Sequence, residues 1–124
     1  MSEIPLIAVV DDDEAIREAI QSLIRSVGLR AAVFASAEDF LHAGQLQATA
    51  CLIVDVRMPG MSGLELQERL ATANRSIPTI FITAHGGEEA RERALRAGAV
   101  DFLDKPFSDE ALLRAIEAVL RRAI

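Results

Sequence analysis

The chain has 124 residues, 51% of them apolar and 26% charged, with a formal net charge of −6. Its length suits one domain spanning residues 1–124, and no apolar run approaches the roughly 20 residues that a membrane span requires. The acidic excess argues against unaided nucleic-acid binding, which wants a basic stripe, and no signal-peptide pattern opens the chain, so the expectation is a cytoplasmic protein that works with other proteins.

Strand-like and helix-like stretches alternate five times. A first strand is predicted over Ile4–Val10, followed by a helix with Ile16, Ile20, Leu23, Ile24 and Val27 on one face at steps of three and four. Gly28 closes that helix by accepting a left-handed backbone. Ala31–Phe34 reads as the second strand, and Ser36 through Asp39 as a variant capping box that opens a short helix with Phe40 and Leu41 inward. The third strand, Ala50–Asp55, is apolar almost throughout, as a strand buried on both faces is. Its Cys51 is expected to be a buried thiol rather than a redox or metal group.

Ser62-Gly63-Leu64-Glu65 forms a regular capping box for the third helix, whose inward stripe is Leu66, Leu70 and Ala73. The fourth strand starts at Pro78 and ends on Thr83. The helix predicted over Glu88–Ala97 has one large apolar residue, Leu95, and so should be the most weakly held. After Gly98 comes the fifth strand, with Val100-Asp101-Phe102-Leu103. Ser108 then caps a last helix that buries Leu112, Ile116, Val119 and Leu120 and ends on Arg121-Arg122, cations at the negative end of the dipole. The pattern predicts an α/β fold, a single doubly wound (βα)5 flavodoxin-like domain with a parallel sheet in the order 2-1-3-4-5.

Four of the strands end on groups suited to a phosphoryl group or its metal. Asp11-Asp12-Asp13 follows the first, Asp55 ends the third, Thr83 the fourth, and Lys105, the only lysine in the chain, follows the fifth. In open parallel sheets ligands sit beyond the carboxyl ends of the strands, where all four positions fall. Carboxylates about 5 Å apart repel by about 3 kcal/mol per pair at an effective dielectric of 20, so such crowding calls for a cation. With oxygen ligands alone, that cation is a hard one, and Mg2+ is the expected choice. A carboxylate held there can attack phosphorus to form an aspartyl phosphate, with Lys105 and the Thr83 hydroxyl each engaging a phosphoryl oxygen. Taken singly, each group has an ordinary reading: an acidic helix start, a strand end, a solvated turn. Asp55 is the hardest to read so, because an acid directly after four apolar residues carries a desolvation cost.

The pieces Val10-Asp11-Asp12, Asp55 with Met58-Pro59-Gly60-Met61-Ser62-Gly63, Thr83-Ala84 and Lys105-Pro106-Phe107 resemble the receiver domain of bacterial two-component response regulators. The resemblance covers essentially the whole chain. Thr83-Ala84-His85-Gly86 and Ala97-Gly98-Ala99-Val100-Asp101-Phe102 are similar to receivers of nitrogen-fixation-type regulators. The resemblance implies that Asp55 accepts phosphate from a histidine kinase. It also implies that Asp11, Asp12 and Asp55 hold Mg2+ with the backbone carbonyl of Arg57, and that the Lys105–Pro106 peptide is cis. Small Ala84 would leave the phosphorylated carboxylate accessible, and Phe102 would swing inward when Thr83 moves. Phe102 lacks the hydroxyl of the tyrosine commoner at that position, so its signalling would work through packing alone.

His85, in the loop after Thr83, and His42, near the end of the second helix, read as ordinary surface residues. The family further implies control of an output, with transcription through a C-terminal DNA-binding domain as the first expectation and a stand-alone receiver as the alternative. A phosphorylation-dependent homodimer through the last two helices and the fifth strand is a further expectation. An aspartyl-phosphate phosphatase of the haloacid dehalogenase type would need a second aspartate two residues after the nucleophile, where Arg57 stands. A nucleotide-binding domain would need a glycine-rich phosphate loop, and neither standard pattern occurs. Beyond self-catalysed phosphotransfer and autodephosphorylation, no enzymatic turnover is expected.

Overall fold

The computed structural model describes residues 4–84 and 87–122. Ten elements alternate along it: β1 (Leu6–Val10), α1 (Glu14–Ser26), β2 (Arg30–Phe34), α2 (Ala37–His42), β3 (Thr49–Asp55), α3 (Gly63–Thr72), β4 (Thr79–Thr83), α4 (Gly87–Arg96), β5 (Asp101–Asp104) and α5 (Asp109–Arg122). Every strand pair is parallel, and the order across the sheet is β2-β1-β3-β4-β5. This is the doubly wound, flavodoxin-like arrangement that the sequence predicts.

The apolar runs are explained by helices on both faces of the sheet. All five residues of β1 and of β4 are buried, as are Cys51 through Asp55. Side chains alternate across each strand, so Ile7, Val9, Cys51, Ile53, Ile80 and Ile82 meet α1 and α5 on one face. Ala8, Val10, Leu52, Val54 and Phe81 meet the other layer, with Phe40 from α2 and Leu66 and Leu70 from α3. The helix starts follow their capping residues. Asp13 accepts from the amides of Ala15 and Ile16, and Ser62 and Glu65 form the full reciprocal capping box.

Two side chains depart from the predicted stripes. Val27 caps α1 rather than lying within it and is 49% exposed, and Ala73 likewise falls at the C-cap of α3, in solvent. A helical stripe loses its hold once the chain turns away from the sheet. Leu95 points outward at 44% exposure, and α4 rests on Ala94, which is fully buried. His85 and Gly86 lie outside the described residues, as does the side chain of Arg122. Among the described residues no helix is long and apolar enough to cross a membrane.

Candidate functional site

Strand register alone brings the predicted groups to one edge. Val10 pairs with Val54, so Asp11 and Asp55 leave neighbouring strands side by side. Asp55 is in register with Ile82 and Thr83 with Asp104, which puts Thr83 and Lys105 at the same end of the sheet. The Lys105 amide donates to the Thr83 carbonyl at 2.7 Å, and the Lys105–Pro106 peptide is cis, as expected.

The side chains then close on one another. Lys105 Nζ donates to Asp11 Oδ2 and to Asp55 Oδ2, both at 2.8 Å. Each carboxylate is held at its other oxygen by a backbone amide two residues on: Asp13 N–H donates to Asp11 Oδ1 at 2.8 Å, and Arg57 N–H to Asp55 Oδ1 at 2.9 Å. Arg17 Nη1 donates to the Asp11 carbonyl at 2.8 Å, which fixes the start of the acidic loop from α1. Asp11 is fully buried and Asp55 nearly so, while Asp12 is exposed at the mouth. Gly63 packs against the end of β3 so tightly that a Cβ there would lie 2.3 Å from the Asp55 carbonyl oxygen.

The electrostatics match a cation site. Ligand oxygens of Asp11, Asp12 and Asp55 lie within 4.8 Å of one another. Three carboxylates against one ammonium leave two negative charges in excess. A donor set made only of oxygens, with water access past Asp12, fits a hard divalent ion such as Mg2+. Burial raises the pKa of Asp11 above 3.8, against the lowering effect of Lys105 and the Asp13 amide. Burial also pulls on Lys105 in the direction of neutrality, but its hydrogen bonds and charge contacts with Asp11 and Asp55 outweigh this and raise its pKa above 10.5. The ammonium is therefore firmly charged at neutral pH. Buried ion pairs of this kind are weak contributors to stability, so a triad with surplus acid points to chemistry.

The remaining predicted residues lie on β4 and β5 and just after β4. Thr83 is buried at the end of β4, and Ala84 just after it is exposed. The ring of Phe102 is inward, with 2% of the residue exposed. Arg91 of α4 lies over that ring, its Cζ 5.8 Å from the centroid, and its Nη1 donates to the Phe102 carbonyl at 3.4 Å. Sequence reasoning missed Arg17 and Arg91. Both act across elements, and an arginine on an amphipathic helix carries no local sign of such a partner. A cavity of about 510 Å3 lies at the opposite ends of the strands, by Gln67, Thr79 and Gly98. It lacks the convergent charged groups of the strand-end pocket.

Residues 7–117 match the response regulator receiver domain family. The chain belongs to that family. It is 52% identical over 119 residues to the response regulator protein TmoT of Ectopseudomonas mendocina, a match covering 95% of this chain and 54% of that protein. A solved structure of the response regulator StyR superimposes with a TM-score of 0.88 at 47% identity, covering 96% of this chain and 60% of that one. The crystal structure of FixJ-N gives a TM-score of 0.83 at 36% identity, covering 96% and 94%. The receiver spans about half the length of the relatives TmoT and TodT. It is a signal-transducing domain of two-component systems, a class that works with histidine kinases and is generally not enzymatic.

Proposed function

We propose that Asp55 is the phosphoacceptor, taking a phosphoryl group from a phosphohistidine of a kinase. The observation that carries this is the Lys105 ammonium, shared at 2.8 Å between Asp55 and Asp11. In the transfer, an Asp55 carboxylate oxygen forms a bond to phosphorus as the phosphorus–nitrogen bond of the donor breaks, and the freed imidazole takes up a proton. The barrier is governed by positioning and by charge on the three equatorial oxygens. Arg57 N–H holds one Asp55 oxygen so that the carboxylate meets the donor in a fixed orientation. Lys105 exchanges a carboxylate contact for a phosphoryl oxygen without moving far, and the Thr83 hydroxyl donates to another. Asp11, Asp12, Asp55 and the Arg57 carbonyl would hold Mg2+, which when bound neutralises charge on the transferring group.

Phosphorylation then biases a local switch. Thr83 and Phe102 connect the pocket to α4, the helix seated on little more than Ala94. The surface of α4, β5 and α5, with Leu95 exposed on it, is the face that would change and support a phosphorylation-dependent homodimer. The receiver covers 54% of TmoT, which favours an output segment in the whole protein, with control of transcription as its role. Direct binding of nucleic acid by the receiver itself is disfavoured by its net charge of −6. With Mg2+ and acetyl phosphate, intact mass should rise by one phosphoryl group, and Asp55→Asn should gain none. A variant that still gains the mass would place the acceptor elsewhere.

A further inference from the structure

The 57–62 loop, which connects the end of β3 to α3, is gripped from outside by α2. Glu38, in the first turn of α2, accepts the Met61 amide on its Oε2 at 3.2 Å, across 23 residues of sequence. Immediately before Met61, Gly60 has φ +76, and a Cβ there would lie 2.9 Å from the same Glu38 oxygen. The carboxylate therefore lies over the Gly60–Met61 peptide, beside a residue whose positive φ favours glycine. An acid in the first turn of a helix ordinarily serves the helix dipole. That role requires no reach to another segment, and Asp39 beside it is available for it.

We propose that Glu38 is a positioning residue for phosphoryl acceptance, acting through the 57–62 loop. The inference rests on the reading of Asp55 as phosphoacceptor and of the Arg57 carbonyl as a metal ligand. The same loop carries the Arg57 N–H that orients Asp55 Oδ1 at 2.9 Å. Its far end is fixed by the Gly63 amide on the Val56 carbonyl at 3.0 Å and by the Ser62–Glu65 capping box. Between those anchors, the Glu38 contact holds the outer turn. A loop ordered in advance leaves less conformational entropy to be lost when a cation and a phosphoryl donor arrive. Glu38 touches neither group itself, so its effect should be smaller than the 10- to 100-fold typical of direct partners of metal ligands.

The test is a Mg2+ titration of the receiver followed by the amide NMR shifts of Asp12, Arg57 and Met61, with acetyl phosphate rates measured at low and saturating Mg2+. Glu38→Ala should weaken Mg2+ binding by about three- to tenfold and speed hydrogen exchange at the Met61 amide in the metal-free protein. Glu38→Gln keeps an acceptor of the same reach and should recover most of the affinity. Glu38→Asp keeps the charge and the first-turn acid but is one methylene short, and should behave as Glu38→Ala. Rates at saturating Mg2+ should converge across the series. Wild-type Mg2+ affinity in Glu38→Ala and Glu38→Asp, with only the urea midpoint lowered, would overturn the proposal by showing a structural role alone. Equal weakness of Glu38→Gln and Glu38→Ala would overturn it too. Failure of the unmutated receiver to bind Mg2+ or accept phosphate would instead overturn the reading of the pocket on which the proposal rests.

Discussion

On one side of the sheet, α1 and α5 press Ile20, Ile24, Leu112, Ile116 and Val119 against Ile7, Val9, Ile53, Ile80 and Ile82, all of them buried. On the other side, α4 contributes one fully buried residue, Ala94, and turns Leu95 into solvent. The difference separates two tasks. The pocket's groups hang from β1, β3, β4 and β5, and in β1, β3 and β4 they follow fully buried β-branched side chains with restricted rotamers. The element expected to answer phosphorylation is α4, which buries only Ala94 fully, as low-stability switching segments require.

The largest effect should come from the well-packed side. Ile24→Ala should lower unfolding stability by about 2–5 kcal/mol in urea titration, from lost burial plus a residual cavity. A cost near zero would mean that α1 is as loosely seated as α4. Next is the join between sheet and phosphoacceptor loop. Gly63→Ala should cost about 1–3 kcal/mol, because the added methyl meets the Asp55 carbonyl and the backbone must shift. If that variant is more stable than the parent, the close approach of α3 to β3 is wrong.

Alkaline pH probes the same core more gently. Burial pushes the Cys51 thiol up to about 12 from an ordinary 9.0. Above pH 9 the unfolded thiol ionises while the folded one keeps its proton, so the unfolded state binds fewer protons and stability falls as pH rises. The slope from this group is at most about 1.4 kcal/mol per pH unit. Lys105, with its pKa raised above 10.5, keeps its contribution whole below that value and loses it only as pH rises through the folded one. Urea unfolding at about pH 8 and 10 should therefore show a decline that Cys51→Ala flattens; an equal decline in both would contradict a thiol held neutral by burial. The smallest effect belongs to α4: Leu95→Ala should stay within about 0.5 kcal/mol, as exposed substitutions do. A loss above 2 kcal/mol would erase the contrast between the two faces.

Much of this was legible in the sequence because it is local. An apolar run ending in Asp55, a serine three residues before Glu65, and a lone lysine before Pro106 each carry their meaning within a few residues. Parallel pairing then does the rest, since strand ends at one edge must meet. What stayed hidden depends on contacts between distant segments. Leu95 is the one large apolar residue of α4, yet it is exposed and the buried contact is made by Ala94, which a count of large apolar residues passes over. Val27 and Ala73 keep helical spacing but fall where the chain turns outward, and periodicity does not mark that point. Glu38 reaching Met61, and Arg91 covering Phe102, join side chains whose sequences give no sign of each other.

The central claim is that one carboxylate, held between the Arg57 amide and the Lys105 ammonium, receives the phosphoryl group. Borohydride reduces an aspartyl phosphate to homoserine, so treating the phosphorylated receiver and mapping its peptides by mass reports the acceptor directly. Homoserine at position 55 alone is the predicted result. Homoserine at position 11 or 12, or a phosphoryl group that survives borohydride as a stable ester, would contradict it.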